Sequence, residues 1–322
     1  MKYVFFDIEC ACVYKYTAKI CAFGYTVTDE NYQVLEKEDV LINPKGKFHL
    51  TGRKGSEGIV LPYEYDEFKS RPVFPAVYKK IKALLEDKDA IVLGHATHND
   101  VNYLNLETKR YRLPSFRFHY HDTQFFYMNT EGDYKHQCGL GHMAEQLGVE
   151  FIPHRAADDA YATMRVCEAL CKREGTDVKG LCEKYQISDG KISAYHISQP
   201  DSVGLQQYYR ERDEEHRRRA EARETFFNFV NRQNYRKKRV GVNAGKKFCF
   251  AKEIENNVPF SIELARAVFA SGGRYTSRAQ DCDVYIAEEE GGKRYQNALD
   301  CGATFIPLDE FAESIKSMTE PV

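Results

Sequence analysis

Short apolar runs alternate with amphipathic helical stretches twice along this chain, once on each side of a charged segment. That recurrence leaves little room for an all-helical or all-strand fold. In the first block Tyr3-Val4-Phe5-Phe6 is a continuous apolar run. Two further strand-like stretches, 19–27 and 33–43, are separated by the turn signal Asp29-Glu30-Asn31, so the three read as a meander. Pro75 then opens a helical stretch with Val77, Ile81, Leu84 and Leu85 on one side. Residues 90–94 read as a strand, a helix follows to about Tyr111, and 116–121 read as another strand. Helices over about 139–147 and 156–172 complete a mixed α/β unit. The long stretch 44–72, with Lys45, Lys47, Arg53 and Lys54, has little periodicity, as expected of a substrate-contacting or surface loop.

From Gly245 the alternation resumes. Strand 247–251, helix 260–271 stopped by Gly272-Gly273, a short strand near Tyr275, strand 282–287, helix 293–301 closed by Gly302, strand 304–307 and helix 309–317 call for a small parallel sheet with helices packed on it. The expected organisation is therefore a first domain over 1–175, a helical basic linker over 176–242 and a second domain over 243–318.

The 322 residues, 43% of them hydrophobic, suit two domains and exclude a disordered tail. The net charge of −2 argues against nucleic acid only if charge is evenly mixed, and it is not. Residues 205–240 hold eleven basic side chains against six acidic ones, a local +5 that leaves −7 elsewhere. A charge run like this reads as a solvated, salt-bridged helix. With Tyr208, Tyr209, Phe226, Phe227 and Tyr235 interleaved, the alternative is a phosphate-tracking helix through Arg217, Arg218, Arg219, Lys237 and Lys238. The amino terminus resembles no targeting signal, and no uncharged run approaches the ~20 residues of a membrane-spanning helix. Ten scattered cysteines without a CxxC pair suit reduced thiols, so the expected location is cytoplasmic, with no membrane partner.

Three short segments carry residues suited to chemistry. In Phe5-Phe6-Asp7-Ile8-Glu9 the carboxylates are two apart on a strand and share one face, where close acids demand raised proton affinity or a hard divalent cation. In Gly94-His95-Ala96-Thr97-His98-Asn99-Asp100 a strand ends in a polar turn with Asp100 near a helix start, which by itself reads as a first-turn acid. In Pro153-His154-Arg155-Ala156-Ala157-Asp158-Asp159 a histidine precedes a helix bearing Asp159, which could pair a base with a metal ligand.

Together, Asp-x-Glu on the first strand, Asp on the helix after the fourth, and His-x-x-x-x-Asp late in the domain resemble the DEDDh, or DnaQ-like, 3′→5′ exonucleases over about residues 1–172. The resemblance implies a ribonuclease H-like mixed sheet and two divalent ions, Mg²⁺ or Mn²⁺, held by Asp7, Glu9, Asp100 and Asp159, with His154 as general base. It further implies release of nucleoside 5′-monophosphates from nucleic-acid 3′ ends, as in repair or proofreading, and the likeness of the second block given below tilts the expected substrate toward DNA. RNA trimming and a non-catalytic nucleic-acid-binding scaffold are the alternatives. The His-x-x-x-x-Asp count selects Asp159 and leaves Asp158 to helix-start electrostatics. Many members follow the first Glu with Thr-Thr-Gly to seat the terminal nucleotide. Here Cys10, Ala11 and Cys12 stand in that place and are the candidates for that contact, and Ala96 replaces an Asn common in the second motif.

The second block resembles a BRCT domain over about 243–318, through Gly272-Gly273, Cys282-Asp283-Val284-Tyr285-Ile286, residues 298–306 and Phe311. Phosphopeptide-binding members use Ser or Thr at the end of the first strand and Lys on the second helix. Here Ala251 and Arg294 take those places, which implies no phosphopeptide pocket and a protein or DNA-end partner instead. His136-x-Cys138-x-x-x-His142 has zinc-like residue types but lacks a fourth ligand, and Cys167 and Cys171, one helical turn apart, read as a buried face.

Overall fold

The computed structural model describes residues 1–49, 60–235 and 240–319, in two compact units, Met1–Tyr209 and Arg210–Val322. The first unit is organised around β1 (Lys2–Tyr14), which is apolar on both faces. Val4, Phe6 and Ile8 enter one core cluster while Tyr3 and Phe5 enter another, so this strand is covered on both sides. β2 (Thr17–Asp29) and β3 (Val34–Leu41) complete the antiparallel meander. After α1 (Phe74–Leu85), β4 (Ala90–Gly94) pairs parallel with β1. Helix α2 (His98–Arg110) leads to β5 (Phe118–Asp122), parallel to β4. α3 (Thr123–Glu131), α4 (Leu140–Gln146) and α5 (Ala156–Glu174) follow.

The chain does not pass into a linker at residue 176. It forms α6 (Val178–Tyr185), β6 (Ile187–Ser188), β7 (Gly190–Ser193), β8 (His196–Ser198) and β9 (Asp201–Ser202). β7 pairs antiparallel with β5 and β8 with β7, giving a seven-stranded mixed sheet in the order β3-β2-β1-β4-β5-β7-β8; β6 and β9 form a separate two-stranded sheet. The expected boundary near 175 is thereby corrected to about 209, because β5 would otherwise leave an unpaired edge and Ile192, now fully buried, would lose its core.

Helix α7 (Val203–Asn234) spans the boundary between the units as one continuous helix. Within the second unit, Phe226 and Val230 are core residues, so the stretch from 210 onward belongs to that unit rather than to a linker. Its sheet is all parallel in the order β11-β10-β12-β13, from β10 (Lys247–Phe250), β11 (Arg274–Tyr275), β12 (Val284–Ala287) and β13 (Thr304–Pro307). Helices α8 (Lys252–Asn256), α9 (Val258–Ala270), α10 (Gly292–Asp300) and α11 (Leu308–Thr319) alternate with these strands. Phe311 is buried against Phe248 in the core of this unit. The expected class, a large mixed sheet plus a small parallel-sheet α/β region, is the observed one. Among the described residues no helix is long and apolar enough to cross a membrane.

Candidate active site and metal centre

Asp7 and Glu9 owe their setting to the reach of β1 beyond its parallel neighbour. β4 pairs with Lys2–Phe5 and ends at Gly94, so the stretch of β1 from Phe6 onward lies at the carboxyl end of the parallel pair, where crevices form in such sheets. The two-residue strand period puts Asp7 and Glu9 on one face and Ile8 in the core behind them.

The turn after β4 is held by Asp122, which caps α3 and accepts hydrogen bonds from the amides of Ala96 (3.0 Å), Thr97 (2.9 Å) and Gln124 (2.9 Å). Ala96 takes a left-handed φ of 51°, and the anchored turn starts α2 so that Asp100 is buried at the sheet, close to the backbone of Ile8. His95, partly buried, is held between Thr123 Oγ1 and the Cys138 carbonyl, and desolvation pushes its pKa down to about 4.

Helix α5 packs directly on β1 and β2 because position 24 has no side chain. A Cβ at Gly24 would lie 1.9 Å from the Ala156 carbonyl carbon. His154 precedes this helix at φ 66°, and Asp159 lies in its first turn, its amide donating to the Arg155 carbonyl at 2.9 Å, with the His154 and Arg155 amides near enough to oppose the rise of its pKa.

One carboxylate oxygen from each of Asp7, Glu9 and Asp159 lies within 4.8 Å of the other two. Asp100 lies outside that trio but close enough that its charge acts on Asp7. Burial, followed by repulsion from Asp100, Asp159 and Glu9, raises the Asp7 pKa far above the ordinary carboxylate range. Burial, then Asp159 and Asp39, pushes Glu9 up to about 8. Burial raises Asp159 to about 7, against the pull of those two amides. Desolvated acids this close must either keep protons or share a cation. An all-carboxylate donor set fits a hard ion such as Mg²⁺ or Mn²⁺ better than a soft one. The His154 Nδ1 lies 3.8 Å from Glu9 Oε1, with its side chain half exposed. Asp158 turns away to Lys37 at 2.7 Å and to Arg155, so it is Asp159 that enters the cluster.

Three participants escaped sequence reasoning. Asp39 on β3 is a fifth acid acting on this cluster. Tyr63 donates to its Oδ2 at 2.9 Å and accepts from the Ala156 amide at 2.9 Å, and Arg155 Nε approaches the same Oδ2 at 3.6 Å. Tyr63 thus ties the end of the aperiodic 44–72 stretch to the first turn of α5. The only sequence hint of Asp39 is its place two residues before Leu41 on a strand.

Other expected contacts are not available where they were sought. Cys10, Ala11 and Cys12 are all buried, because register shifts in the β1–β2 pairing tuck Ala11 and Cys21 under Leu61 and Phe68. Their side chains are thus turned into the protein rather than to solvent. Arg217, Arg218 and Arg219 are exposed on α7, with Arg219 paired to Glu215, whereas Lys237 and Lys238 lie outside the described residues. Phe226 is core and Tyr208 packs against Tyr134, which removes both from the aromatic face expected of α7. Arg294, expected at the second-helix position, makes a bidentate pair with the fully buried Glu255 (2.6 and 3.1 Å), and Ala251 is buried at the end of β10. His136 pairs with Asp133, and the sole metal-ready trio among the described residues is Asp7, Glu9 and Asp159.

The sequence profile of the RNase T-type Exonuclease family matches residues 4–167, just over half of the chain. This chain belongs to the exonuclease family. Over 116 residues, 36% of its length, the exonuclease-family chain is 29% identical to the PolC-type DNA polymerase III of Streptococcus pneumoniae serotype 2, and the match spans only 7% of that polymerase. A 3′-exonuclease whose structure describes 3′-end-specific recognition of the histone mRNA stem-loop aligns at 17% identity and a TM-score of 0.48, covering 63% of this chain and 70% of that one. Exonuclease I aligns at 15% identity and a TM-score of 0.44, covering 57% and 42%.

Proposed function

We propose that this chain is a metal-dependent 3′→5′ exonuclease of the DEDDh type that releases nucleoside 5′-monophosphates from DNA 3′ ends in repair or proofreading. The observation that carries the reading is the convergence of Asp7, Glu9 and Asp159 within 4.8 Å, with His154 beside Glu9. Family membership places the same region among exonucleases. When bound by Asp7, Glu9, Asp100 and Asp159, two ions, Mg²⁺ or Mn²⁺, would supply charge to the attacking and leaving oxygens of an in-line displacement.

The protein's own part is positioning and proton transfer. The buried acids, uncomfortable as a bare group, hold cation charge at the end of β1. His154, half exposed and turned toward Glu9, is placed to take the proton from the attacking water and pass it to solvent.

The C-terminal parallel-sheet unit is proposed as a BRCT-like module for a protein or DNA-end partner, on the strength of its strand order and its occupied Arg294. Ten free thiols are in keeping with a cytoplasmic location.

The test incubates 5′-labelled single strands of DNA and RNA in parallel with Mg²⁺ or Mn²⁺. Stepwise shortening from the 3′ end is expected, faster on DNA, and faster shortening of RNA would reassign the substrate. No shortening, or a His154→Ala protein as active as wild type, rejects the reading.

A further inference from the structure

Cys10, Ala11 and Cys12 turn their side chains inward, but farther along the strand that carries Asp7 and Glu9 the side chains are exposed. That strand continues into a hairpin of different chemistry. Tyr14 pairs with Thr17 across the turn, leaving Lys15 and Tyr16 at the tip. Val13, Tyr14 and Tyr16 are 46%, 61% and 75% exposed. No other four-residue stretch among the described residues presents three large exposed apolar side chains. Lys15 Nζ sits 5.1 Å from the centroid of the Tyr16 ring, and neither tyrosine packs on another ring among the described residues. A fold gains nothing by holding two aromatic rings in water at a tight turn, whereas a ligand with flat faces and negative charge would find both of its complements there.

We propose that the β1–β2 hairpin tip is a stacking platform for unpaired bases preceding the 3′-terminal nucleotide, with Lys15 beside their phosphates. The proposal rests on the exonuclease reading of the neighbouring acids. Tyr14 is five residues beyond Glu9 on the same strand, a span of at most ~17 Å, so a strand whose 3′ end sits at the acids reaches the tip within a few nucleotides. Aromatic faces accept any base, since every base has a π-face, but a base inside a duplex has both faces covered. The platform therefore selects single-stranded 3′ segments and is indifferent to the sugar, so DNA and RNA strands depend on it alike.

The test compares wild type with Tyr14→Ala/Tyr16→Ala on three substrates: a DNA and an RNA single strand, each of about twelve nucleotides, within the span of known stacking sites, and the p-nitrophenyl ester of thymidine 5′-monophosphate, too short to reach the tip. The expected result is a KM about tenfold or more higher on both strands, the loss of at least one stacked base. The kcat on the strands and all activity on the ester stay unchanged, and Tyr14→Phe/Tyr16→Phe keeps the wild-type KM. Unchanged KM on both strands overturns the proposal, as does an equal loss on strands and ester, which would make the tip a support of the metal centre. If wild type cleaves none of the three, the exonuclease reading itself fails. Fluorescence anisotropy of a labelled strand in EDTA then judges the platform alone: weaker binding by Tyr14→Ala/Tyr16→Ala sustains it, and equal binding overturns it.

Discussion

Replacing Glu9 by Gln should make the metal-free protein more stable, and only at high pH. In the folded chain Glu9 keeps its proton up to about 8, whereas the ordinary carboxyl releases it near 4.5. Between those values the folded state binds more protons than the unfolded chain, so stability falls as pH rises, and the whole penalty is present above about 8. A raised acid pKa is thus a destabilising charge at high pH. At ~1.36 kcal/mol per pH unit the ceiling is about 5 kcal/mol, and interior sites that respond with an effective dielectric nearer 20 bring this to about 2–3 kcal/mol. For a unit of this size that is roughly 5–10 °C in Tm. Scanning calorimetry in EDTA should therefore show Glu9→Gln melting higher than wild type at pH 8, and the two nearly together at pH 5. Saturating Mn²⁺ should reverse the order at pH 8, because binding at ~100 times Kd adds about 2.7 kcal/mol to the protein that retains its ligand. A pH-independent difference in EDTA, or none, would refute the claim that Glu9 is held in a desolvated, like-charged cluster.

Asp122→Ala strips the carboxylate from the amides of Ala96, Thr97 and Gln124, at about 1–3 kcal/mol for each amide left buried; both Tm and activity should fall, with Asp122→Asn intermediate. Gly24→Ala drives a methyl into the Ala156 backbone and should separate α5 from β2, so loss of soluble folded protein or of activity is expected, and a wild-type Tm would disprove the close approach. Glu255→Ala leaves the Arg294 guanidinium, 17% exposed, without its buried partner and should cost the C-terminal unit about 3–5 kcal/mol by urea unfolding.

The residue types and spacings of the acid site were legible because they are local. Asp7 and Glu9 share a strand face by period alone, and His154 and Asp159 are joined by one helical turn. The alternation of elements was equally plain for the meander and for the C-terminal parallel sheet, where short apolar strands leave no competing period. Helix α3 was missed although Asp122 stands as its cap, because Thr123–Glu131 carries aromatic residues without a clear polar face. The hairpin of β7 and β8 was missed because strands of four and three residues show no usable alternation.

Sequence by itself determined which side chains could do chemistry and that they lie on a strand and two helix starts, since those are properties of neighbours along the chain. Tertiary structure alone decided that Asp39 and Tyr63 join the site and that the first unit runs to Tyr209. It also showed that Cys10–Cys12 turn inward while Tyr14 and Tyr16 remain outside. Each of these depends on strand register and on what packs across the sheet. Burial, and with it the raised proton affinity of Asp7, Glu9 and Asp159, is a sum over residues far apart in the chain.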